Sequence, residues 1–138
     1  MNETLRGLVF DDEGPVAALL TRQLARAGVT ARAVTGTERF LRALLEERPE
    51  LAIVDLSSLR TNEARLAPAL AATGFGGEVI LISGLSRAAL EASRLWAEAQ
   101  GIQIAGTLQK PHRGRDLQAL VEHWLAGRAC GRSHSKAS

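Results

Sequence analysis

Leu51-Ala52-Ile53-Val54-Asp55 decides the fold: four apolar residues run straight into one acid. So short a run, with β-branched Ile53 and Val54, predicts a strand buried on both faces, the kind that parallel sheets supply. A carboxylate at the end of such a strand lies on the C-terminal edge of the sheet, where open α/β folds bind their ligands. Two further runs end alike. Leu8-Val9-Phe10 leads into Asp11-Asp12-Glu13, and Val79-Ile80-Leu81-Ile82 leads into Ser83-Gly84. A fourth, Ile104-Ala-Gly-Thr-Leu108, leads towards Lys110-Pro111. Acids, a hydroxyl and an ammonium are therefore expected on one edge.

Outward from these strands the chain alternates. A strand over Leu5–Phe10 is followed by a helix opened by Gly14-Pro15, with Pro15 in the first turn where its missing N–H costs little. Val16, Leu19, Leu20, Gln23, Leu24 and Ala27 form its inward stripe, and Gly28 stops it. Val29–Val34 alternates Thr30 and Arg32 with apolar residues, as a strand exposed on one side does. Thr37, followed by Glu38, is expected to cap a second helix with Phe40, Leu41, Leu44 and Leu45 inside, ending at Pro49. Asn62 or Thr61 caps a third helix reaching about Thr73, and Gly74-Phe75-Gly76-Gly77 is a turn. After the strand Val79–Ile82, Ser86 caps a fourth helix over Arg87–Gln100, closed by Gly101. A fifth strand covers about Gln103–Leu108. A fifth helix covers about Gly114–Ala126, with Leu117, Leu120, Val121, Trp124 and Leu125 inward. Five strands alternating with five helices specify an α/β protein: a parallel sheet with right-handed crossovers and helices on both faces.

At 138 residues and 46% apolar content the chain reads as one globular domain, over residues 1–126, followed by a disordered basic tail at 127–138. No apolar run approaches the roughly 18–20 residues of a membrane span. The N-terminus lacks the apolar stretch of a signal peptide. Cys130 is the only cysteine, so no internal disulfide can form, in keeping with a cytoplasmic location. The net charge is +2, and the tail's Arg128, Arg132 and Lys136 contribute +3 of it, which leaves −1 on the body. The sequence pI near 9.3 is thus no sign of a nucleic-acid-binding body.

Adjacent Asp11 and Asp12 could simply favour the N-terminus of the next helix. With Asp55 beside them, like charges crowd together and call for a neutralising cation. Oxygen-only ligands with room for water suit Mg²⁺. Lys110, held extended before Pro111 by a peptide bond that can be cis, can pair with the acids at rest or meet an incoming phosphoryl group. Ser83, beside the small Gly84, can donate to a phosphate oxygen or cap the next helix. Together these residues make an aspartyl phosphorylation site, in which a carboxylate attacks phosphorus and gives an acyl phosphate. His112, His123 and His134 are scattered and show no zinc spacing. Neither a glycine-rich phosphate loop nor a nucleophile elbow with a placed histidine is present.

The order Asp11-Asp12, Asp55, Ser83, Lys110-Pro111, at the ends of the first, third, fourth and fifth strands, resembles the receiver domain of two-component response regulators over about residues 5–126. The runs Ile82-Ser-Gly and Gly106-Thr-Leu-Gln-Lys-Pro are also similar to receivers joined to cyclic-di-GMP phosphodiesterase domains. The resemblance implies a flavodoxin-like doubly wound five-stranded sheet of order 2-1-3-4-5 with five helices. It implies that Asp55 accepts a phosphoryl group from a sensor histidine kinase or phosphotransfer protein. It implies that Asp12, Asp55 and the Ser57 backbone carbonyl hold Mg²⁺, with Asp11 acting through water, and that Ser83 and Lys110 contact the phosphoryl oxygens. The domain would be a signalling phosphoacceptor rather than an enzyme. It would act on a downstream protein, with the fourth helix, fifth strand and fifth helix as output surface or homodimer face, and with no direct nucleic-acid or membrane contact. The chain also departs from the family. Leu59 and Glu63 stand where a proline and a glycine are common, His112 where an apolar residue is common, and Thr107 where an aromatic switch residue is usual. The alternative is a receiver-fold interaction scaffold that works without phosphorylation.

Overall fold

The computed structural model describes residues 5–10, 14–56, 63–84 and 86–134. Strands and helices alternate as β1 (Leu5–Phe10), α1 (Gly14–Arg26), β2 (Val29–Val34), α2 (Thr37–Glu47), β3 (Leu51–Asp55), α3 (Glu63–Ala72), β4 (Glu78–Ser83), α4 (Arg87–Ala99), β5 (Gln103–Gln109) and α5 (Gly114–His134). The strands are all parallel, in the order β2-β1-β3-β4-β5. This is the flavodoxin-like doubly wound topology, in which the chain reverses direction across the sheet between β1 and β3.

Strand periodicity divides the core in two. Leu8, Phe10, Ala52, Val54, Val79 and Leu81 face one way, where Phe40 and Leu44 of α2, Leu70 of α3, and Leu90 and Ala97 of α4 cover them. Val9, Leu51, Ile53, Ile80 and Ile82 face the other way, under Leu20 and Leu24 of α1 and Leu117, Val121 and Trp124 of α5. The central strand β3 is buried along its whole length, which is why its sequence shows no polar alternation.

Several local expectations are met, and others are corrected. Gly28 and Gly101, past the ends of α1 and α4, have φ of +97° and +95°, the left-handed region that stops a helix without a Cβ penalty. Ser86 caps α4, its hydroxyl accepting from the Ala89 N–H at 3.2 Å. Thr37 does not cap α2: the cap position is Gly36, with no side-chain hydrogen bond, and Thr37 is already helical. Leu45 and Leu19 are about half exposed, at 49% and 45%, so they border the inward stripes rather than belong to them. Trp96 on α4 is 39% exposed, whereas Trp124 is buried as amphipathic spacing requires. The end of the fifth helix is also corrected. α5 does not stop at Ala126 but continues to His134, so most of the expected disordered tail is helical. Gly127 lacks the positive φ of a stop signal, and the Arg128 guanidinium stacks on the Trp124 ring one turn back, 5.1 Å from its centroid. The third helix begins at Glu63, and its expected caps Thr61 and Asn62 lie outside the described residues.

Candidate functional site

Each core strand stops paying attention to packing at its C-terminal end, and polar residues begin there. β3 ends at Asp55, opposite Ile82 of β4, and β4 ends one residue later at Ser83. β5 reaches this edge through an irregularity. Val79 pairs with Ile104 but Ile80 pairs with Gly106, so Ala105 is skipped. Such a bulge moves every later residue by one position along its neighbour. Ser83 therefore stands opposite Gln109, and the Lys110 N–H donates to the Ser83 carbonyl at 2.8 Å. That bond fixes the backbone of Lys110 at the tip of the sheet, just before a cis Lys110–Pro111 peptide bond.

The result is a buried carboxylate with a cation at its mouth. The Asp55 side chain is fully buried, and Lys110 Nζ lies 2.5 Å from its Oδ2. The lysine side chain keeps 27% of its exposure, so the ammonium reaches the acid from solvent. Ser83 is 1% exposed. It does not cap α4, since Ser86 does, so its place at the strand end is not explained by helix capping. The structure thus brings together Asp55, Ser83 and Lys110, three of the residues expected from the sequence. Asp11, Asp12 and Ser57, the remaining expected metal ligands, lie outside the described residues, as does Leu59. Among the described residues no group of three His, Cys, Asp or Glu side chains is placed to hold a metal ion. Asp55 is the one member of the expected set within them, and as an oxygen donor it fits a hard cation rather than a soft one.

The site setting of one neighbour escaped sequence reasoning, which noted it only as a departure from an apolar residue. His112, treated there as an ordinary scattered histidine, is half-buried just past the cis peptide bond. Its Nδ1 is buried and has no hydrogen-bond partner among the described residues. Burial lowers its pKa below the ordinary 6.5, and the Lys110 charge lowers it further, while Asp116 and Asp55 pull the other way. The only available signal was its place directly after Lys110-Pro111. Asp116, in the first turn of α5, accepts from the Arg113 N–H at 2.9 Å and secures the loop that carries His112. Alongside, Val16, Leu19 and Leu20 of α1 line an apolar groove with Lys110, Pro111 and His112. Thr107 is half-buried within β5, opposite Leu81 of β4.

No family model and no curated protein matches the chain. Solved structures do. A response regulator from Colwellia psychrerythraea superposes with a TM-score of 0.77 at 22% identity, over 91% of this chain and 99% of that one. A CheY-like response regulator receiver domain protein from Methanospirillum hungatei JF-1 gives 0.75 at 19% identity, over 92% and 98%. The chain has the receiver fold of response regulators. A third structure with the receiver fold, a response regulator protein from Burkholderia pseudomallei, carries a phosphorylated aspartic acid, a calcium ion and citrate. It gives 0.69 at 22% identity, over 91% of this chain and 71% of that one. No helix among the described residues is long and apolar enough to cross a membrane.

Proposed function

We propose that the chain is a phosphorylation-controlled signalling domain in which Asp55 accepts a phosphoryl group. The observation that carries this reading is the fully buried Asp55 carboxylate with Lys110 Nζ at 2.5 Å, at the C-terminal edge of a receiver-fold sheet. Burying a charge is costly unless it is compensated, and a buried carboxylate held beside a partly exposed lysine is the kind of group that functional sites retain. The donor is the phosphohistidine of a sensor kinase or phosphotransfer protein. An Asp55 oxygen bonds to phosphorus while the P–N bond to the donor imidazole breaks. The bonding pair stays on the imidazole nitrogen, which takes up a proton. Lys110 then exchanges its partner, from the Asp55 carboxylate to the phosphoryl oxygens, and Ser83 donates its hydroxyl to another of them. The apolar groove of Val16, Leu19, Leu20 and Pro111 beside Lys110 gives the donor protein a surface to dock on.

Mg²⁺ belongs to the same proposal. Asp12, Asp55 and the Ser57 carbonyl would hold it, with Asp11 acting through water, an all-oxygen set of the kind this ion prefers. Once bound, it would offset the negative charge that the phosphoryl group brings to the acids. The Burkholderia structure, with its phosphorylated aspartic acid and calcium ion, supports a divalent cation as part of this reading. Output would pass through α4, β5 and α5, where Leu95 and Trp96 of α4 stand exposed, either to a downstream protein or to a second copy of the chain.

The test is intact mass after incubation with a small phosphodonor, with and without Mg²⁺, on wild type and Asp55→Asn. The expected result is a phosphoryl adduct in wild type alone, dependent on Mg²⁺. A folded wild type that takes up nothing would favour the phosphorylation-independent scaffold, the reading to which Thr107 in place of an aromatic switch residue already leans.

A further inference from the structure

The far edge of the sheet carries a second surface. β2 is the outermost strand, and its outer side has no strand partner among the described residues. An edge strand presents unpaired backbone N–H and C=O groups to any extended chain that can reach them. Val34 packs into the core on the α2 side, so Arg32 and Thr30, two and four residues before it, point to the same side. Arg32 pairs with Glu47 of α2 and still keeps 56% of its side-chain exposure. Between β2 and α2 runs a groove of about 360 Å³, lined by Arg32, Ala33, Thr35, Arg39, Arg42 and Glu46 among others. Arg39 and Arg42 are three residues apart, hence neighbours on one helix face, and both are exposed. Neither makes an ion pair among the described residues.

We propose that this groove docks an extended acidic segment of a partner protein, added to the sheet as a sixth strand beside β2. Backbone pairing with the free edge would provide the alignment. Side chains of an added strand alternate between the two sides of the sheet, so every second residue would face Arg32, Arg39 and Arg42, and carboxylates are the complement there. A peptide can place an uncharged residue opposite Glu46. An unbroken phosphate backbone cannot, and it has no main-chain donors and acceptors to pair with the strand edge. Exposed ion pairs are individually weak and screened by salt, so the docking would be of modest affinity and salt-sensitive.

The experiment uses the full chain and a fluorescein-labelled peptide alternating glutamate and threonine, followed by anisotropy and by amide hydrogen exchange. Its comparators are the lysine–threonine counterpart and an oligothymidylate of equal charge. The expected result is binding of the acidic peptide alone and slowed exchange within Thr30–Val34. Affinity should fall about tenfold in Arg39→Glu/Arg42→Glu and by less in Arg39→Gln/Arg42→Gln, the milder pair guarding against loss of fold. Absence of acidic-peptide binding, equal binding by both double variants, or preference for the oligothymidylate would each overturn the proposal.

Discussion

Asp55 and Lys110 are unequal partners. The acid is fully buried, while the lysine side chain keeps 27% of its exposure. Removing either one is therefore not symmetric, because an uncompensated charge costs only where it cannot be rehydrated. Lys110→Met removes the cation beside the buried carboxylate and is expected to cost about 2 kcal/mol, below the usual figure for buried pairs because the lysine is partly exposed. Asp55→Asn leaves an ammonium free to turn outward and is expected to change stability by less than about 1 kcal/mol. Urea denaturation of the two variants checks the order, and a larger loss for Asp55→Asn would contradict it. His112 makes a separate prediction. Its pKa in the folded state lies below 6.5, so the unfolded chain binds a proton first as the pH falls. Its contribution to stability is thus intact above about 6.5 and is lost on acidification from there down to the folded pKa. The stability advantage of wild type over His112→Gln should shrink through that window, and a difference independent of pH would remove His112 as the cause. Sequence spacing put Asp55, Ser83 and Lys110 at one edge of the sheet because each stands at or just past the end of a strand-like run. It noted His112 only as a departure from an apolar residue, because the half-buried state of that residue is created by neighbours outside its own segment.

At the scale of elements, β5 depends on a close approach. A Cβ placed on Gly106 would meet Leu120 Cδ1 at 2.6 Å and Cγ at 3.1 Å, so α5 sits against bare backbone there. Gly106→Ala is expected to cost about 1–3 kcal/mol by overpacking. Adding Leu120→Ala should relieve part of that cost, so the double variant is less destabilised than the two single losses together. A double-mutant cycle with additive losses would mean that the two residues do not share a contact. The succession of elements was legible from apolar periodicity, and so was the cap at Ser86. The bulge that skips Ala105 was not, since Gln103–Leu108 reads as an unbroken strand and the register is decided only against β4. The length of α5 was not legible either. Gly127 looks like a stop, but a glycine ends a helix only where the chain takes a positive φ, and here it does not.

For the whole molecule, the sheet joins two apolar layers that share no helix. Phe40 of α2 and Leu117 of α5 are fully buried on opposite faces. Phe40→Ala is expected to cost about 3–5 kcal/mol and Leu117→Ala about 2–5 kcal/mol. Because the same strands carry both layers, either change should shift one cooperative transition. Coincident curves from far-ultraviolet circular dichroism and tryptophan fluorescence would show this. Two separated transitions in either variant would mean that the layers unfold independently.

The sequence by itself determined the alternation of strands and helices, the doubly buried central strand and the polar residues waiting at the strand ends, because these follow from periodicities of two and 3.6 within short segments. Only the tertiary structure decided that Lys110 meets Asp55 across β4, that His112 is drawn towards the same edge, and that Arg32, Arg39 and Arg42 line one groove beside a strand whose outer side has no strand partner among the described residues. Those arrangements depend on strand order, register and helix placement, which arise between segments distant in the chain and leave no mark within any one of them.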